Sequence, residues 1–106
     1  MNVVYRPQFW LDLEAGVAYL AQEASPEIAS RWHQEILATV KRVENHPDLG
    51  RLRRDLTPPG IRSLIVRHYP RYLLFYSWHG HMIEILRIKH GMMDLPQLFG
   101  GSQPAE

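Results

Sequence analysis

The chain has 106 residues, no cysteine and a formal net charge of +1, which fits one compact domain able to bury about two-thirds of the surface of its unfolded chain. The lack of cysteine excludes a disulfide framework and a thiolate metal site, and the lack of a long apolar run excludes a membrane-spanning helix. The small net charge hides an asymmetry, since residues 1–50 carry four Lys/Arg against seven Asp/Glu and residues 51–106 carry eight against four.

That asymmetry either builds a basic face on the second half or is consumed by pairing between the halves. The amino terminus has neither the basic segment nor the apolar stretch of a secretory signal, and a soluble cytoplasmic protein is expected. Val3, Val4 and Tyr5 form a short apolar run closed by Pro7, as in an opening strand that passes directly into a helix with proline in its first turn. Trp10, Leu13, Val17, Leu20 and Ala21 then recur at three- and four-residue steps, while Asp12, Glu14, Gln22 and Glu23 fall largely elsewhere. This predicts an amphipathic helix with Trp10 in the core.

Ser25-Pro26-Glu27 supplies a hydroxyl cap, a first-turn proline and an acid at the positive end of a second helix. Its apolar line is Ile28, Trp32, Ile36, Val40 and Val43, and it should end near Asn45, because His46-Pro47 disfavours further helical turns. Residues 48–59 hold Gly50, Pro58 and Pro59 with Arg51, Arg53 and Arg54, which reads as an exposed basic loop. Three strands follow, over 61–68, 71–78 and 81–90, with turns expected at Tyr69-Pro70 and His79-Gly80. One helical turn is expected over 94–99, and residues 100–106 read as a flexible tail.

The order β-α-α-β-β-β predicts an α+β domain over residues 1–99, with a helix hairpin on one face of a small antiparallel sheet, mixed at most at its edge. In the middle strand Leu73 and Phe75 point one way and Tyr72, Leu74, Tyr76 and Trp78 the other. Neither face is therefore wholly polar. The second face needs either a partner chain or a sheet that curves around its own helices.

Five cations, Arg62, Arg67, Arg71, Arg87 and Lys89, lie within the strand region. Arg62 suits either an external acidic surface or an acid on the helices. Arg51, Arg53 and Arg54 are either a binding patch or a solvated loop. Arg87, set between Leu86 and Ile88, must reach a partner or an open cleft. His90, at the Gly91 break, suits general acid–base chemistry or closure of the strand by hydrogen bonding. Trp78 at a strand end is a rim or interface residue. His79-Gly80-His81 lacks a converging third ligand, so no metal is expected. Glu84 has no second carboxylate at a useful spacing, and no cofactor is implied.

Several ordered segments carry a resemblance: Leu11-Asp12-Leu13, Asn45-His46-Pro47-Asp48-Leu49-Gly50-Arg51, Gly60-Ile61-Arg62-Ser63-Leu64, Tyr72-Leu73-Leu74-Phe75-Tyr76 and Ile85-Leu86-Arg87-Ile88-Lys89-His90-Gly91. Together they resemble the RelE/ParE superfamily of type II toxin–antitoxin toxins over residues 3–99. The resemblance implies a bacterial growth inhibitor neutralised by a cognate antitoxin. It also implies one of two activities, cleavage of ribosome-bound messenger RNA (RelE-like) or inhibition of DNA gyrase by binding it (ParE-like, often serving plasmid stabilisation).

The RelE-like branch places an arginine where Leu73 stands and further basic residues and a tyrosine near the carboxyl end, where this chain has Met92 and Met93. Arg71, Arg87 and His90 are the remaining nuclease candidates. The ending His90-Gly91-x-x-Asp94-Leu95 is similar to the ParE-like pattern, which commonly carries arginines at the positions of Met92 and Met93. The expectation is thus a ParE-like toxin that acts by protein binding more than by contact with nucleic acid. Its candidate target or antitoxin contacts are Arg53, Arg54, Arg62, Arg67, Arg87, Trp78 and Asp94.

Overall fold

A computed structural model of the protein describes residues 1–91. The opening apolar run forms β1 (Asn2–Tyr5), and the chain turns at once into α1 (Pro7–Glu23) with proline in its first turn. Ser25 caps α2 (Pro26–Asn45), its hydroxyl oxygen accepting the Ile28 N–H at 3.1 Å. Four strands follow: β2 (Arg51–Leu52), β3 (Ile61–Val66), β4 (Tyr69–His79) and β5 (Met82–His90). The sheet order is β1-β5-β4-β3-β2, with β1 parallel to β5 and every other pair antiparallel. This is the expected α+β arrangement with a mixed edge. No described helix is long and apolar enough to cross a membrane.

Both hairpin turns lie away from their expected positions. The first is Arg67-His68, where His68 takes φ 71°, and Tyr69 and Pro70 already belong to β4. Histidine is among the non-glycine residues that tolerate this conformation, but the sequence carries no glycine there to advertise it. The second is Gly80-His81, with Gly80 at φ 59° in the first central position, as a two-residue hairpin of the II′ kind requires. Strand β2 sits inside the segment expected to be loop, with Arg51 opposite Ser63 and Leu52 opposite Arg62. The expected helical turn at 94–99 and tail at 100–106, with Met92, Met93 and Asp94, lie outside the described residues.

The main core lies between the helix hairpin and one sheet face. Phe9 and Leu13 of α1 and Trp32, Ile36, Val40 and Val43 of α2 pack on Val66, Leu74, Tyr76, Ile83, Ile85 and Ile88. Each such side chain contributes about 1.5–3 kcal/mol by leaving water. Trp10 departs from expectation and is 47% exposed. The buried line of α1 is Phe9, Asp12 and Leu13, and Trp10 is rotated off it by one residue. Its ring rests instead on Tyr5 and Phe9, at centroid distances of 4.8 and 5.0 Å.

The opposite face carries a smaller cluster of Leu56, Ile61, Phe75 and Leu86, with Leu73 against it. Leu56 comes from the segment between β2 and β3, so the chain covers part of its own second apolar face. A bulge in β5 supports both clusters. Phe75 pairs with Arg87 and Tyr76 with Ile85, leaving Leu86 as the extra residue. The parity shift lets Ile83, Ile85 and Ile88 all face the helices while Leu86 enters the second cluster.

Candidate functional site

Arg53 departs from the exposed basic loop expected from sequence. Arg53 is only 7% exposed. Its Nε and Nη2 donate to the two carboxylate oxygens of Asp55 at 2.9 and 2.6 Å, and its Nη1 donates to Ser63 Oγ at 3.2 Å. The Arg53 backbone N–H also donates to the Ile61 carbonyl at 2.8 Å. The guanidinium therefore fastens the segment carrying Leu56 to β3, and its hydrogen bonds hold the Asp55 carboxyl below its ordinary pKa. Arg51 and Arg54 remain exposed. Beside this clasp a cavity of about 500 Å³ opens between Pro7, Pro58, Ile61, Ser77 and Leu86.

Arg62 pairs with backbone carbonyls, and not with an acid of the helices, among the described residues. Its Nη1 donates to the carbonyls of Gly50 at 2.8 Å and Asp48 at 3.3 Å, behind the end of α2. The guanidinium lies 5.9 Å from the Trp78 ring centroid, a cation–π distance. Trp78 stays exposed, with its indole N–H donating to the Gly80 carbonyl at 3.0 Å. Tyr76 holds the same loop from below. Its hydroxyl donates to the Pro47 carbonyl and accepts the Gly50 N–H, both at 2.7 Å, and burial raises its pKa.

Arg87 finds the partner that its place among apolar residues demands. Its Nε and Nη2 donate to Asp12 Oδ2 and Oδ1 at 2.7 and 3.0 Å, while the Ile88 backbone N–H donates to Oδ2 at 3.2 Å. Lys89 lies 3.4 Å from Oδ1. The topology explains the arrangement. Strand β1 pairs with β5 only as far as Ile85, and the chain then leaves into α1. The edge of β5 beyond Ile85 thus has no strand beside it, and Asp12 of α1 takes the acceptor's place.

Asp12 was missed by sequence reading, although a signal existed. An acid three residues after buried Phe9 sits on the inward helix face, and it needs a cation as much as Arg87 needs an anion. The nuclease candidates are not gathered at one point. Arg71 is exposed on the Leu73 face of β4, whereas His90 pairs with Tyr72 on the opposite face, their rings edge to face at 5.4 Å. Arg67 is exposed in the β3–β4 turn. Asp94 lies outside the described residues. Among those residues no group of three or more His, Cys, Asp or Glu is placed to hold a metal.

Comparison with known proteins accords with this architecture. The model of the ParE toxin of the type II toxin–antitoxin system, parDE, matches residues 3–95. Among solved structures, the chain is similar to one from the chromosomal ParDE TA system of P. aeruginosa, with 26% identity, a TM-score of 0.72 and coverage of 85% of this chain and 95% of that one. It also shares its fold with the YoeB dimer of Staphylococcus aureus, at 19% identity, a TM-score of 0.59 and the same two coverages. No curated protein matches in sequence. With nearly its whole length matched by the family model, the chain belongs to the ParE toxin family of type II toxin–antitoxin systems.

Proposed function

We propose that the protein inhibits growth by binding a target protein such as DNA gyrase, and that a cognate antitoxin neutralises it in the cytoplasm. The family match over residues 3–95 carries this reading, and the likeness to a ParDE system supports an antitoxin partner. The side-chain geometry favours binding over bond cleavage. Phosphodiester cleavage needs cations and a proton-transfer group converging on one phosphate. Here Arg87 is engaged by Asp12, and Arg71 and His90 stand on opposite faces of the sheet. Arg54, Arg67 and Arg71 remain as exposed cations for acidic groups of a target or antitoxin, together with the Arg62–Trp78 pair.

Purified toxin should impair gyrase supercoiling and leave ribosome-bound message intact. Clean cleavage of messenger RNA with normal supercoiling would overturn the reading.

A further inference from the structure

The cavity of about 500 Å³ on the second sheet face lies where three parts of the chain meet. Neighbouring strands supply its base, since Ile61 of β3 and Glu84 of β5 both pair with Ser77 of β4. Pro58 and the first turn of α1 border it, and Leu86 adds apolar surface. Its volume is that of a small-molecule site.

Two polar groups in it lack partners among the described residues. Ser77 is only 6% exposed, and its hydroxyl makes no hydrogen bond there. On β4 it points to the same side as Phe75, the side on which the cavity opens. A buried hydroxyl left in this state costs about 1–3 kcal/mol. The other group is at the start of α1, where Arg6 offers no side-chain cap and the first turn holds no acid. The Arg6 N–H donates to the Ile85 carbonyl, Pro7 has no N–H, and the Phe9 N–H turns back to the Arg6 carbonyl. The Gln8 N–H is left over at the positive end of a 17-residue helix, and Gln8 borders the cavity.

The charges set the class of ligand. Arg87 also borders the cavity but is engaged by Asp12. Arg6 gives only its Nε to Glu84, so both of its Nη groups keep their donors. Glu84 is thereby balanced, yet its carboxylate stays in the cavity and opposes a dianion such as a phosphate monoester. A single carboxylate suits this balance better. It carries one charge, and its two oxygens can accept a hydroxyl and an N–H together.

We propose that this cavity binds a small monocarboxylic acid with an apolar body. The carboxylate accepts the Ser77 hydroxyl and the Gln8 N–H, and the body rests on Pro58, Ile61 and Leu86. This adds a ligand site to the chain and does not depend on its action as a toxin.

Titration of the ¹⁵N-labelled full chain with benzoate, followed by nuclear magnetic resonance, tests it, with benzamide as the uncharged counterpart. Benzoate should give saturable shifts at the amides of Gln8 and Ser77, and benzamide should bind about tenfold more weakly. Ser77→Ala, which leaves the backbone ladder of β4 in place, should weaken benzoate about tenfold. Glu84→Gln should tighten it by removing a like charge. Residues with a merely structural role would not move the affinity in opposite directions. Absence of saturable shifts at those amides, equal affinity for benzamide, or tighter binding of inorganic phosphate than of benzoate would each overturn the proposal. None of these results bears on gyrase or on growth, so the proposed function is tested separately.

Discussion

The two faces of the sheet are covered by different means. On one, six buried side chains of the helix hairpin, Trp32 and Phe9 among them, pack on six of the sheet in a continuous cluster. On the other, four buried residues suffice, and an irregular segment is held over them by Arg53 through Asp55 and Ser63. The first cover is apolar and cooperative, because removing any member leaves a cavity that the others cannot easily fill. The second depends on a few charge-assisted hydrogen bonds near water. The contrast teaches where the molecule should yield: the helix side opens only with global unfolding, whereas the loop side can open by itself.

The strongest test of the helix side is polar. Asp12→Ala removes the carboxylate that Arg87, Lys89 and the Ile88 N–H share at the unpaired edge of β5. Breaking a buried pair from one side leaves a desolvated charge, and a loss of about 3 kcal/mol is expected in denaturant unfolding. A loss below about 1 kcal/mol, the range of exposed pairs, would mean that the edge of β5 is wetter than its burial implies.

Asp12 also shows how much of the molecule was legible beforehand. The element order, the Ser25 cap and the core role of Trp32 follow from local spacing and turn chemistry, which act over a few residues. The Asp12–Arg87 contact spans most of the chain and depends on where β1 stops pairing with β5, which no local pattern encodes. The bulge at Leu86 was hidden for a related reason: Ile83, Ile85, Leu86 and Ile88 are all apolar, so a change of parity leaves no mark in the pattern. Arg53 misled in the opposite direction, since a basic, proline-containing segment normally signals exposure. Its partner Asp55 is only two residues away, but nothing local says that Ser63 of β3 lies beneath it.

The loop side should respond more weakly and more locally. Arg53→Gln should cost about 1–2 kcal/mol, discounted because the Asp55 side chain is itself more than half exposed. Hydrogen exchange should accelerate at the amides of Arg53 and Leu56 and leave those of α2 unchanged. Acid should have the same effect in the parent protein. Because Arg53 holds the Asp55 carboxyl below its ordinary value, the clasp is fully present above the unfolded pKa of about 4 and is lost as the pH falls through the lower folded value. In Asp55→Asn this local acid response should disappear. Simultaneous acceleration in the loop and in α2 would show that the two covers open as one unit.

The smallest effect is expected where an ion pair lies outside both covers. Arg6 follows β1, and its Nε donates to Glu84 Oε2 on β5, across the parallel pair. The contact is short, but the Arg6 side chain is 57% exposed. Water stabilises both charges nearly as well when they are apart, and holding a long side chain in one rotamer opposes the gain. The backbone does more here, since the Arg6 N–H donates to the Ile85 carbonyl at 2.9 Å and survives any change of side chain. Arg6→Ala should therefore shift stability by no more than about 0.5 kcal/mol, and salt should erase even that difference. A larger, salt-resistant loss would place Arg6 among the residues that hold the edge of the sheet, with Asp12, and the division between covered faces and an indifferent rim would have to be redrawn there.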